Sequence, residues 1–314
     1  MYWLMLILGL AVLTVGATWL TNGSVAVAER LRMSEYLIGL TIIAVGTSLP
    51  ELTVSAASAI AGNPDVAVGN VVGSNIFNVF VILGICSFIA PLLFTHENIR
   101  RDIPMCIGAS LILAFMILDS RISRIEGIVM LILYIAVVYA SYRWDRKSAE
   151  AKKTQERTDT KFSWTVSVVS IVLGLAALIY GAHLTLKSAT EIARGFGISE
   201  SVIAITILAG GTSLPELASS IAATLKGHGG LALGNILGSN IANILLILGV
   251  CSIIEPLPVT DITKTDVAML VGSSVAVLLS ALVIGRRRIT VYEGAAYIAI
   301  YAVYVWHLIK SGGL

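Results

Sequence analysis

Two glutamates, Glu51 and Glu216, end the same six-residue string. Gly46-Thr-Ser-Leu-Pro-Glu51 recurs as Gly211-Thr-Ser-Leu-Pro-Glu216, 165 positions later, each time inside a long apolar stretch. A carboxylate at a helix centre in hydrocarbon costs at least about 2.5 to 3.5 kcal/mol, so an acid retained there marks a functional site. The residues beside it are oxygen donors. Thr47 and Ser48, with Thr212 and Ser213 in the second copy, bring hydroxyls. Pro50 lacks an N–H and crowds the carbonyl four residues back, which predicts a helix break near Gly46 to Leu49. The break frees carbonyls around Ala44 to Gly46, and Ala209 to Gly211 are their equivalents. Such backbone is tolerated at membrane depth only inside protein or along a wet cavity. Ser55 and Ser58, and approximately Ser220 and Thr224, continue the polar face. A plainer reading stays open, since Ser48 and Glu51 also fit the capping box that satisfies free N–H groups at a helix start.

A second motif follows each time. Gly69-Asn-Val-Val-Gly-Ser-Asn-Ile-Phe-Asn78 answers Gly234-Asn-Ile-Leu-Gly-Ser-Asn-Ile-Ala-Asn243 at the same offset. Asn70, Ser74 and Asn78 are four apart and line one helix face, as do Asn235, Ser239 and Asn243. Ser74, Asn78, Ser239 and Asn243 are ligand candidates because their turns can face the broken helices. Asn70 and Asn235 fit ligation and interhelical hydrogen bonding equally, whereas Asn75 and Asn240 lie off the stripe and read as hydrogen bonders. Gly69 with Gly73, and Gly234 with Gly238, permit close helix contact. Two carboxylates with hydroxyl, amide and carbonyl oxygens make an all-oxygen cage, which suits the hard cations calcium and sodium. One divalent ion, two monovalent ions or protons would balance two carboxylates, and that competition is a physical basis for exchange. His96, His183, His228 and His307 are scattered, and Cys86, Cys106 and Cys251 form no paired motif, so zinc, disulfides and a resident cofactor are not expected.

The elements that must position these residues follow from composition. With 57% hydrophobic and 13% charged residues the chain belongs in a bilayer, and its 21 basic and 19 acidic residues leave no field for nucleic acid. Apolar runs near 2–21, 36–60, 66–90, 103–119 and 125–141, then 163–182, 200–225, 230–254, 266–284 and 292–310, predict ten spans. The expected fold is therefore an all-α polytopic membrane protein: residues 1–141 and 162–314 form two five-helix repeats joined by a cytoplasmic linker at 142–161. An odd number of spans inverts the second repeat against the first and brings Glu51 and Glu216 together at breaks near the midplane. With both termini outside the cytoplasm, outer loops hold only Arg121, Arg124, Lys187, Arg194, Lys264 and Lys310, and all other Lys and Arg fall inside. No basic residue precedes Arg30, and Gly181-Ala182 repeats Gly16-Ala17, so the first span reads as retained rather than as a cleaved leader.

Taken together, the duplicated Gly-Thr-Ser-Leu-Pro-Glu and Gly-Asn-x-x-Gly-Ser-Asn strings resemble the alpha repeats of the sodium/calcium exchanger family, in its prokaryotic ten-helix form, over essentially the whole chain. The resemblance implies an inner-membrane antiporter, not an enzyme, that exchanges three sodium ions for one calcium, with access gated by sliding of the first and sixth spans. It implies cation ligands at Glu51, Glu216, Thr47, Ser48, Thr212, Ser213, Ser74, Ser239 and Asn78 and at the carbonyls of Ala44 and Ala209. Some relatives carry aspartate where this chain has Asn243, which leaves asparagine in both repeats and implies no potassium cotransport. No obligatory protein partner is expected beyond the ions and the bilayer. A proton-coupled calcium or other cation antiporter is the alternative, although the Gly-Asn-Ala-x-Glu string of calcium/proton exchangers is missing. A channel fits broken inverted repeats less well. An intramembrane metalloprotease would need a His-Glu-x-x-His string that the sequence lacks.

Overall fold

Without water to satisfy it, backbone in a bilayer takes the helix. Helices make up nearly all of the computed structural model, which describes residues 1–151, 162–196, 209–284 and 287–311. In chain order they are α1 (Tyr2–Leu31), α2 (Glu35–Thr47), α3 (Leu49–Ile60), α4 (Pro64–Ile89), α5 (Asn98–Asp119) and α6 (Arg124–Ala151). They continue as α7 (Trp164–Gly195), α8 (Leu214–Leu225), α9 (Gly229–Ile254), α10 (Lys264–Ile284) and α11 (Val291–Ser311). A helical turn at Ala209–Gly211 precedes α8. Among the described residues, seven helices are long and apolar enough to cross a membrane, and α2 with α3 adds a pair bent by 44°. The chain is an integral membrane protein. The start of the span expected at 200–225 lies outside the described residues, and α11 is not among the seven.

Several boundaries differ from expectation. α1 runs on to Leu31 and α7 to Gly195, because neither stretch contains a proline and polar residues such as Thr21, Ser24, Thr185 and Ser188 are buried within the pair. α6 likewise continues to Ala151, so the first part of the expected linker is helical, while 152–161 lie outside the described residues.

α1 and α7 lie side by side along a seam of small residues. Gly9, Gly16 and Gly23 recur every seven positions and face Gly181, Gly174 and Ser167 in reverse order. A Cβ on Gly16 would lie 2.8 Å from the Gly174 carbonyl, and one on Gly174 would lie 2.6 Å from the Leu20 nitrogen. Contact this close is how helices associate where lipid is as apolar as their side chains. The outer faces, with Leu4, Ile7 and Leu8 on α1 and Val168, Val172 and Leu173 on α7, are exposed.

The interior belongs to α4 and α9. The most apolar window of α9 is 83% buried, against 17% for that of α6. Both central helices widen into π-helical turns, at Asn78–Leu83 and at Ala242–Leu248, a form seen mostly as local insertions at functional sites. Two short antiparallel ribbons tie one half to the other. β1 (Leu92–Leu93) pairs with β4 (Arg288–Ile289), and β2 (Arg121–Ile122) pairs with β3 (Leu257–Pro258). Cys86, Cys106 and Cys251 are buried and free.

Candidate functional site

The helix breaks where Pro50 requires it. Ser48 leaves helical angles at φ −84° and ψ 8° between α2 and α3, and Ser213 takes the same angles ahead of α8. Neither serine caps the helix that follows it. The capping-box reading is therefore not what the structure shows: at these angles, rather than the extended ones usual at an N-cap, each serine hydroxyl turns away from its own helix and across the molecule. Ser48 Oγ donates to Glu216 Oε1 at 2.8 Å, and Ser213 Oγ donates to Glu51 Oε1 at 3.2 Å. Each half's serine thus holds the other half's glutamate, and both glutamates are fully buried. In each, Oε2 is buried without a hydrogen-bond partner among the described residues.

Around them stand most of the expected residues. Ser239 Oγ donates to Glu216 Oε1 at 3.5 Å, and Ser74 Oγ lies 3.4 Å from Thr212 Oγ1. Thr47 reaches Asn235 Oδ1 at 3.2 Å, and Thr212 reaches Asn70 Oδ1 at 3.3 Å, again across the halves. The Ala44 carbonyl is not free, since it accepts the Ser48 N–H at 3.1 Å and lies 3.4 Å from Thr47 Oγ1. A carbonyl oxygen has two lone pairs, so this leaves limited capacity for a further contact. Ala209 opens the turn before Thr212, in the place matching Ala44.

The polar face that Ser55, Ser220 and Thr224 continue is partly occupied by protein. Ser55 accepts from Asn70 Nδ2 at 3.1 Å, and Ser219 and Ser220 accept from Asn235 Nδ2 at 2.9 Å each. Thr224 bonds back to the Ser220 carbonyl. Asn70 and Asn235 therefore act as interhelical hydrogen bonders. Asn75 and Asn240 do so as well, with each amide nitrogen on the other's backbone carbonyl at 3.1 and 3.2 Å. Asn78 Nδ2 donates to Asn240 Oδ1 and Asn243 Nδ2 to Asn75 Oδ1, both at 3.0 Å. Asn78 Oδ1 and Asn243 Oδ1 join the two glutamate Oε2 atoms as buried oxygens without a partner.

Four buried acceptors without a partner, two of them on carboxylates, are costly left alone, because a buried polar group without a partner loses about 1 to 3 kcal/mol and a charge more. They fit a hard cation, which takes oxygens only. The halves also differ in access. Asn70 and Thr212 are half-buried, whereas their counterparts Asn235 and Thr47 are buried. The close approach expected of the glycines is seen for Gly234 and Gly238, which press on Tyr36 and Leu40 of α2. Among the described residues a Cβ on Gly73 would meet nothing within 4 Å and one on Gly69 would lie 3.9 Å from the Ile262 side chain, so the close approach expected there is not seen among them.

Comparison with known proteins converges on one group. The family described as "Sodium/calcium exchanger protein" matches residues 1–143 and 166–310. An uncharacterized membrane protein of Methanocaldococcus jannaschii is 35% identical, over 95% of this chain and 94% of its own. The sodium/calcium exchanger MaX1 of Methanosarcina acetivorans is 30% identical over 83% of this chain and 85% of its own. Among solved structures, the sodium-calcium exchanger NCX_Mj soaked with zero Na+ and Ca2+ superposes with a TM-score of 0.83 at 32% identity, covering 97% of both chains.

Proposed function

Because this chain belongs to the sodium/calcium exchanger family, and so to the cation antiporters, we propose that it exchanges Na+ for Ca2+ by alternating access to one site shared between Glu51 and Glu216. The observation that carries this reading is the reciprocal bonding of the two carboxylates. One oxygen of each is fixed by the opposite serine, and the other is buried without a partner. Glu51, Glu216, Asn78 and Asn243 supply those free oxygens, and the hydroxyls of Thr47, Ser48, Ser74, Thr212, Ser213 and Ser239 with the carbonyls of Ala44 and Ala209 complete the ligand set. With asparagine at both amide positions, the two glutamates are the charges that one Ca2+ balances, and Na+ competes for the same oxygens.

Alternating access supplies the coupling, since ions that must share one set of ligands cannot cross in the same step. The half-exposed Asn70 and Thr212 favour entry from the side of the α3–α4 loop, with the Asn235 and Thr47 side closed. In the proposed topology ten spans form inverted repeats on either side of a cytoplasmic linker in the cell membrane. Both termini and the α3–α4 loop then lie outside, and the glycine seam holds α1 and α7 together so that they slide past the core as one unit.

Purified protein in liposomes should take up calcium when a sodium gradient is imposed and should not respond to a pH gradient alone. Uptake driven only by protons would replace this reading with proton-coupled antiport.

A further inference from the structure

The two amide oxygens among the free acceptors face the site only if Asn78 and Asn243 are held one way round. An asparagine amide is nearly symmetric in shape, and turning it over would present an NH2 group, which repels a cation. We propose that Asn75 and Asn240, which lie off the polar stripe, are positioning residues that lock the ligand amides with oxygen inward, each acting on the opposite repeat. This rests on the ion site argued above.

The lock follows from donor and acceptor chemistry. A backbone carbonyl only accepts, so the Asn75 side chain must place Nδ2 against the Asn240 carbonyl, and Asn240 must do the same toward Asn75. That leaves Asn75 Oδ1 facing Asn243 and Asn240 Oδ1 facing Asn78. An amide oxygen there can only accept, so Asn243 and Asn78 must turn the donor Nδ2 toward it and Oδ1 away. Those two oxygens are the ones buried without a partner. All four asparagines are at most 1% exposed, so water does not replace these bonds. The orientation is thereby set by two main-chain carbonyls at the crossing of α4 and α9 and is passed outward through one side chain on each side.

Orientation and mere packing are separated by giving the ligand no wrong end. Asn78→Asp offers the ion an oxygen whichever way it is turned, and its other oxygen faces Asn240 Oδ1 acceptor to acceptor, so in that background Asn240 no longer helps and its removal relieves a repulsion. Calcium binding to the purified full chain is measured by titration calorimetry without sodium in wild type, Asn240→Ala, Asn78→Asp and the double variant. Asn240→Ala is expected to weaken binding about tenfold in the wild-type background, the scale of one hydrogen bond to a group facing a charge, and less than about threefold beside Asn78→Asp. The same loss in both backgrounds would overturn the lock and make Asn240 a packing residue. If Asn78→Asp alone leaves calcium affinity unchanged, Asn78 is not at the ion and the site assignment itself fails. Should Asn240→Ala not fold, the mirror set, Asn75→Ala with Asn243→Asp, decides the matter by the same criteria.

Discussion

Replacing Glu51 or Glu216 by glutamine is expected to abolish sodium-driven calcium flux while leaving the protein folded. Glutamine keeps the volume and retains an oxygen for Ser213 or Ser48. What it removes is one of two negative charges facing a divalent ion. At an effective dielectric of about 20, a pair of unit charges about 4 Å apart interacts by about 4 kcal/mol. At about 1.4 kcal/mol per factor of ten, the loss of calcium affinity is on the order of a thousandfold or more. Flux in proteoliposomes, with gel filtration of each variant as the folding control, measures this. Near-normal flux in either variant would sink the shared site. The two variants should also fail alike, since the serine contacts are reciprocal.

Gly234→Val is expected to do the opposite kind of damage, loss of the fold rather than of the ion. A Cβ at Gly234 would lie 2.1 Å from the Tyr36 carbonyl and 2.9 Å from the Leu40 nitrogen. Both are backbone atoms of α2, so relief requires moving a helix and not a rotamer. α9 is the most buried of the apolar helices, and Gly39 of α2 presses back on the Leu231 carbonyl in the same contact. Overpacking of a tight core typically costs about 1 to 3 kcal/mol and more where only backbone can yield. The variant should be recovered in low yield or melt well below wild type in detergent. Gly272→Ala, where no described atom lies within 4 Å of a Cβ, should melt close to wild type. Equal melting temperatures for Gly234→Val and wild type would show that α2 does not dock on α9 as described.

Much of this was legible in the sequence because membrane helices are long, apolar and duplicated here. The bend at Ser48 follows from Pro50, and the pairing of Glu51 with Glu216 follows from placing two identical strings in one bundle. What the sequence concealed was who bonds to whom. Ser48 sits three residues before Glu51, a spacing that invites a local cap, and nothing in a linear string tells that its hydroxyl turns to Glu216 instead. The π turns at Asn78 and Ala242 have no residue signature, so spacing by four described the stripe only up to those points. Spacing alone puts Asn75 and Asn240 off the stripe, but their hold on the amides beyond it runs through two backbone carbonyls that no linear string displays. The strand pairs joining residues 92 and 289 or 122 and 257 are too short to announce themselves in any pattern.

The reciprocity of these bonds bears on how such a chain came to exist. Ser48 with Glu216 mirrors Ser213 with Glu51, Asn75 and Asn240 exchange bonds, and each short strand pairs with one from the other half. In an isologous interface residue i meets j and j meets i, the relation found between the subunits of a two-fold dimer. One repeat alone would hold a glutamate without its serine, a ligand amide without its lock and a strand without its neighbour. An ancestor with a single repeat would have completed its site only by pairing with a twin. Within one chain the two copies need not stay identical, and Val45 stands against Gly210 inside strings that otherwise agree from Ala44 to Glu51.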